Sequence, residues 1–485
     1  MSFKPYVGAS QARGSQDIET VRISIIGNLL FRGTSASKDQ RFVNGYFDVL
    51  KNSVTNKTHY YFCKRPGLAQ NIRPPAGAAV GRGLYSWNGK GYSVFANKIY
   101  SGTTDLGVTL TTTTGKVGFA AVRPGATTTY LGINDGAKLY LISTSDAVTT
   151  VTTNFPTPNT RDLVYLDGYF FVMKTDGTVW SCEVDDPTTW TPSKFLTAQM
   201  YGDAGVGLAH QNNLLIVFCS KSIQTFYDAA NALGLPLSNV EQYVQQLGCA
   251  SRDSIANDEG MVVWVTNSST GGYSVHKMDG VTTVKEIATP DIQRILWAEG
   301  TNIANAIGFS CRITGRLFYI LKLIGANRTF VYDHQNDLWV EWETAAGGSA
   351  WPVVAAYQHL NVLYCQHATN GYIYTFSPTV YQDDSVNFTV LARLSRVDFD
   401  TTRRKFVRRF DIIGDQQSSA TLVNLQYSDD DYITLSTARS MDMSYAECFA
   451  TNLGSFKRRA WQISYAGNNP LRIEAFELRV RMGDS

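Results

Sequence analysis

The chain has 485 residues, and its 43 lysines and arginines nearly balance 41 acids. A net charge of +2 gives no electrostatic reason to expect nucleic acid, a membrane surface or an acidic substrate as a tight partner. With 44% hydrophobic, 12% aromatic and 17% charged residues it is neither a disordered nor a coiled-coil protein, and its length suits two or three ordered, β-rich domains. The seven cysteines stand singly without a CxxC pair, which argues for buried thiols made in a reducing cytoplasm rather than disulfides or a zinc ribbon. The opening MSFKPYVGASQARGS lacks the apolar core of a secretion signal, so a soluble, unexported chain is expected.

Residues 1–80 hold two apolar runs, VRISIIGNLLF and HYYFC, too little for a domain; they are expected to form an arm that packs on the next domain or on a neighbouring subunit. Arg65-Pro66-Gly67 reads as a tight turn, because proline fixes φ and glycine accepts a positive φ after it.

From residue 81 a turn-then-strand unit recurs. YSWNGKGYSVFANKIYSG turns at Asn88-Gly89 and GINDGAKLYLIS at Asp135-Gly136. VYLDGYFFVMKTDGTVW turns at Asp167-Gly168 and again at Asp176-Gly177, pairs that supply the positive φ angles of a two-residue hairpin. AHQNNLLIVFC, SCRITGRLFYILKL and YQHLNVLYCQH continue the series. Spacings of roughly 30 to 55 residues match a four-stranded blade, so residues 81–385 are expected to form a degenerate β-propeller of six or seven blades. Such blades cannot bury both faces alone, and Trp87, Trp180, Trp264 and Trp339 are the expected wedges between them. One helix is expected within LPLSNVEQYVQQLGC, with Ser238 as N-cap and Glu241 three residues on.

Residues 386–485 change character to longer alternating strands with charged outer faces, the pattern of a β-sandwich. Arg403, Arg404, Arg408 and Arg409 are candidate docking residues there, although strand alternation divides them between two faces. Asp185, Asp186, Asp383, Asp384, Asp429, Asp430 and Asp431 fall in turn-rich stretches, where solvated loops are the default reading. No G-x-S-x-G, H-E-x-x-H or P-loop occurs, and Cys365 and His367, with His359 upstream, lack an evident third ligand. No enzyme, cofactor or metal is expected.

The runs RFVNGYFDVLKN, YYFCKRPGLAQ and GRGLYSWNGKGYSVFANKIY, followed by HQNNLLIVFCSKSIQTFYDA, QQLGCASRDSIANDEGMVVWV, VKEIATPDIQRIL and FKRRAWQISY, resemble the tail hub or nozzle proteins of short-tailed phages, also called packaged-DNA stabilisation proteins. The resemblance implies a hexameric ring in the virion tail, synthesised in the host cytoplasm. It further implies a portal adaptor ring above, a tail needle or plug below, tailspikes or fibres at the side, passage of genomic double-stranded DNA, and no membrane as a stable partner. In such a conduit Asp185, Asp186, Asp429, Asp430 and Asp431 are candidates for keeping the wall neutral or negative. The alternatives are a carbohydrate-active or glycan-binding phage propeller and a monomeric adhesin.

Overall fold

The computed structural model describes residues 18–25, 40–51, 58–122, 129–198, 200–231, 234–258, 260–280 and 283–483. Much of the segment expected to be an arm therefore lies outside the described residues. The chain divides into two compact units, one of residues 43–46 and 65–389 and one of residues 1–42, 47–64 and 390–485.

The first unit is a β-propeller. Among the described residues seven antiparallel blades follow one another, four-stranded except for the fifth, whose inner edge is split in two; they begin at Gly81–Trp87, Gly118–Ala121, Val164–Leu166, Gly205–Gln211, the pair Leu247–Cys249 and Ala256–Asp258, Ile307–Ile313, and Val353–His359. The seventh blade contains only three strands from its own stretch of chain. Its fourth strand is Gly67–Ile72, which pairs antiparallel with Ile373–Ser377 in the register Ser377↔Gly67 and on its other side meets the short strand Gln382–Asp383. The ring thus closes by chain ends that meet, and residues 67–72, expected in the arm, belong to a blade.

Blades form because the turn chemistry is local and the burial is shared. Asp167 and Gly168 both take positive φ, 46° and 93°, as a two-residue hairpin requires. At Asp176-Gly177 only the glycine does, with φ 86°. That loop is longer than expected: Lys174 N donates to Thr178 O, Gly177 N donates to Lys174 O, and the Asp176 carboxylate accepts from Thr178 N.

Each hydrophobic cluster then joins two successive blades. Trp87, Tyr92 and Val94 of the first meet Leu131, Ile133 and Tyr140 of the second, and Leu84, Phe95 and Tyr100 of the first meet Ala355 and Ile373 of the seventh. Trp264 is fully buried against Phe218 of the preceding blade. Trp339 lies tilted against Tyr332 with ring centroids 5.0 Å apart, and its indole donates to Ile287 O across a blade boundary. Trp180 is only half-buried: it packs against the cluster shared by the second and third blades and stacks on Phe195 within its own blade.

The expected helix in Leu235–Cys249 is reduced to a single 3-10 turn at Glu241–Tyr243. Leu237–Asn239 is the fourth strand of its blade, paired with Phe226–Asp228, and Leu247–Cys249 starts the next. Completing a sheet satisfies a whole ladder, which outweighs a capping pattern. The α-helix lies instead at Pro290–Ala298, where the Thr289 side chain accepts from Ile292 N and proline occupies the first turn.

The second unit is a two-layer sandwich. One layer holds Lys405–Gly414 and Arg472–Met482, with Ile18–Ser24 and Thr58–Lys64 also pairing with the latter. The other holds Val390–Arg393, Ala460–Tyr465, Leu422–Ser428 and Arg439–Asp442. Phe410 and Trp461, 4.8 Å apart, join the layers. Residues 18–24 and 58–64 therefore complete the sandwich that was expected from residues 386–485 alone.

Candidate functional site

Two constructions stand out in the propeller. The first is where the ring closes. Arg65, just before the fourth strand of the seventh blade, is wholly buried and forks onto Asp383, Nη1 to Oδ1 at 2.9 Å and Nη2 to Oδ2 at 2.5 Å. Its Nε donates to Asn44 Oδ1 at 3.1 Å, and Leu68 N donates to Asp383 Oδ1 at 3.2 Å. The rings of Phe388, Trp351 and Trp342 surround the guanidinium with centroids 3.9, 5.5 and 5.7 Å away. A planar cation that stacks and forks is what such a dry aromatic box can hold.

Gly67 follows from the same crowding. It has no positive φ, contrary to the expected turn; it opens a strand, and a Cβ there would collide with the Gln382 backbone. The glycine is needed for close approach of the chain's entry and exit strands.

The second construction lies on the propeller axis. The innermost strands of the first five blades line a cavity of about 570 Å³ with Tyr85, Phe119, Asp162, Tyr165, His210 and Asp258 on its walls. Beside it Arg252 donates from Nε to Asp162 Oδ1 at 2.8 Å, from Nη1 to Lys116 O at 3.0 Å and Asp253 Oδ1 at 2.6 Å, and from Nη2 to Arg161 O at 2.8 Å. Lys116, which precedes the second blade, donates to Gly308 O of the sixth at 3.0 Å. Blades two and six are not neighbours in a ring of seven, so these side chains meet across the axis and bridge the bore. Burial lowers the Lys116 ammonium to about 8, with Arg252 adding to the shift. Burial likewise raises the Asp162 and Asp258 carboxyls above the ordinary range, against the pull of Arg252 and Arg312 respectively.

The remaining candidates do not converge on one place. Asp186 caps its own loop by accepting from Thr188 N and Oγ1, and Asp185 sits exposed at φ 53° in the adjoining turn. Asp383 is buried with Arg65, and Asp384 accepts from the Tyr374 hydroxyl at 3.1 Å. In the sandwich Asp429 pairs with Arg459, Asp431 with Arg396 and Arg458, and Asp430 holds its loop through Ser428 and Thr434, bonds that depress its carboxyl to about 2. Arg409 is taken up by Asp411 and Glu447, whereas Arg403, Arg404 and Arg408 are exposed. Cys365 is buried, and His367 Nδ1 accepts from Thr369 N and Asn370 N, a turn-capping role. Among the described residues no three His, Cys, Asp or Glu side chains gather for a metal ion, and no helix is long and apolar enough to cross a membrane.

Residues 29–381 match the family described as Bacteriophage P22 Gp10, beta-propeller. The chain belongs to this family. It is accordingly a structural phage protein and a virion component that interacts with other virion components. No curated protein matches the sequence. Solved structures similar to it include a catalytically inactive virginiamycin B lyase from Staphylococcus aureus with quinupristin, at 12% identity over 63% of this chain and 98% of that one, TM-score 0.42. The extracellular domain of a putative hybrid two-component system from B. thetaiotaomicron is similar at 12% identity over 70% and 42%, TM-score 0.43. The WD40 propeller domain of Doa1 is similar at 10% identity over 64% and 98%, TM-score 0.40.

Proposed function

We propose that this chain is the tail hub, or nozzle, of a short-tailed phage: a homohexameric ring that extends the portal and adaptor channel, retains packaged DNA, and offers docking surfaces to a tail needle or plug and to tailspikes or fibres. Membership of the phage stabilisation family over residues 29–381 carries this reading. The bridged bore supports it in a further way. Lys116 and Arg252 cross the propeller's own axis, which favours a DNA path between copies arranged around a common axis over one through a single propeller. The role of each propeller is then that of a rigid wedge, closed by Arg65 and Asp383.

A conduit works best when it holds its cargo weakly, because every phosphate held by Lys or Arg adds a counterion-release term to sliding. The near balance of charge suits this, with Asp185 and Asp186 as wall candidates. The sandwich acids 429–431 are mostly spent on arginines and on their own loop. Class averages of the purified tail, or of the protein with its adaptor, test the ring: six-fold views are expected, and a five-fold or asymmetric arrangement overturns it. Non-specific affinity of the assembled ring for duplex DNA at physiological salt is expected to be no tighter than roughly 10⁻⁵ M. Nanomolar binding with a steep salt slope would refute the weak-contact conduit.

A further inference from the structure

The sandwich unit carries a groove that the tail-hub reading does not use. It has a volume of about 590 Å³ and lies between the loops 396–404 and 455–458, lined by Arg396, Arg404, Lys457 and Arg458 with the hydroxyl residues Thr401, Thr402 and Ser455.

Its frame is rigid. Lys405, wholly buried at the base, donates to Thr401 O and, at 2.8 Å, to Lys457 O, so one ammonium staples both loops. Val397 and Arg459 exchange backbone hydrogen bonds at 2.8 and 3.0 Å. The Arg459 guanidinium, also buried, forks onto Asp429 at 2.7 and 2.8 Å, which neutralises one of the two carboxylates in the lining. The other, Asp398, accepts from Asp400 N at 3.2 Å and so caps its own loop.

The cations on the rim are less committed. Arg404 reaches only Ser455 Oγ at 3.4 Å, and neither it nor Lys457 has an ion pair among the described residues. Arg396 and Arg458 share a single carboxylate, Asp431, at 3.4 and 3.5 Å. A rigid concave site with four cations and three hydroxyls offers more donors than a two-oxygen carboxylate can take. A tetrahedral oxyanion, which presents three or more oxygens, matches that donor count.

We propose that this groove binds a compact ligand carrying phosphomonoester or linked phosphate groups. Its volume of about 590 Å³ accommodates a short run of tetrahedral groups rather than the extended backbone of a duplex. The site is independent of whether the protein forms a ring.

Calorimetric titration of the full-length chain with tripolyphosphate at low salt tests it. Saturable binding is expected, weakening as salt rises. Arg404→Ala and Lys457→Ala are each expected to reduce affinity about tenfold with an unchanged melting temperature, since both side chains are exposed. Asp431→Asn releases two guanidiniums and is expected to tighten binding, an effect that a merely structural role for this cluster would not produce. No binding at millimolar tripolyphosphate, equal affinity in the Arg404→Ala, Lys457→Ala double variant, or tighter binding of a hexaglutamate peptide or of duplex DNA than of tripolyphosphate would each overturn the proposal.

Discussion

Arg65 in the propeller and Arg459 in the sandwich are built alike, each forked onto one aspartate and walled by three aromatic rings. They differ in what water can reach. Side-chain exposure is 0% and 8% for Arg65 and Asp383, but 2% and 46% for Arg459 and Asp429. They differ also in span, since the first pair joins residues 318 apart in sequence and the second residues 30 apart. The first pair therefore adds a dry lock to a ring whose ends the pairing of Gly67–Ile72 with Ile373–Ser377 already brings together. The second steadies a local corner whose carboxylate remains hydrated.

That contrast sets the order of the expected effects. Asp383→Ala leaves a guanidinium in an aromatic box with no counter-charge, and is expected to cost about 3–5 kcal/mol. Replacing both partners, for example Arg65→Met with Asp383→Leu, should recover a large part of this, because an apolar pair needs no desolvated charge. Urea unfolding of the single and double variants measures it. A loss below about 1 kcal/mol in Asp383→Ala would mean that water already reaches the pair.

Gly67→Val tests the same closure without touching charge. A side chain there must displace the Gln382 backbone, and a destabilisation of about 1–3 kcal/mol is expected. An unchanged melting temperature would show that the entry and exit strands can separate freely.

Neither pair was visible in the sequence, for a physical reason. The hairpins were legible because Asn-Gly and Asp-Gly encode φ angles within two residues, as at Asn88-Gly89 with φ 49° and 72°. The wedges were legible because a blade has to bury its tryptophans against its neighbour, fully at Trp264 and in part at Trp180. Asp383 and Asp384 stood among turn residues and read as solvated loop acids; only the return of Gly67–Ile72 to the seventh blade buries Asp383. A contact across more than three hundred residues leaves no periodicity to find. The helix at Pro290–Ala298 did have a local signal, Thr289-Pro290-Asp291, which the β-rich surroundings masked.

Asp429→Ala is the third and milder break. Arg459 keeps Leu453 O and Ser455 O as acceptors and keeps its stacking rings, so the expected loss is about 1–2 kcal/mol. A loss equal to that of Asp383→Ala would erase the distinction drawn from exposure.

Lys116 extends the comparison to a cation whose hydrogen-bond acceptor among the described residues is a backbone carbonyl, Gly308 O, rather than a carboxylate. Burial, then Arg252, lowers its folded value to about 8 from an unfolded 10.5. Below about pH 8 both states carry the charge, and the folded state bears the full cost of burying it. Between roughly pH 8 and 10.5 the unfolded chain holds more protons than the folded one, so this group makes stability rise with pH across that window. Lys322, lowered by burial to about 8 as well, acts in the same direction, and tyrosines such as Tyr85, raised by burial, oppose both towards pH 10. The informative quantity is therefore the difference between the parent and Lys116→Met, followed by urea unfolding from pH 7.5 to 9.5. The variant is expected to show a shallower rise than the parent. Parallel curves would mean that water already solvates the Lys116 ammonium, and that the bridge across the propeller axis is open enough to admit it.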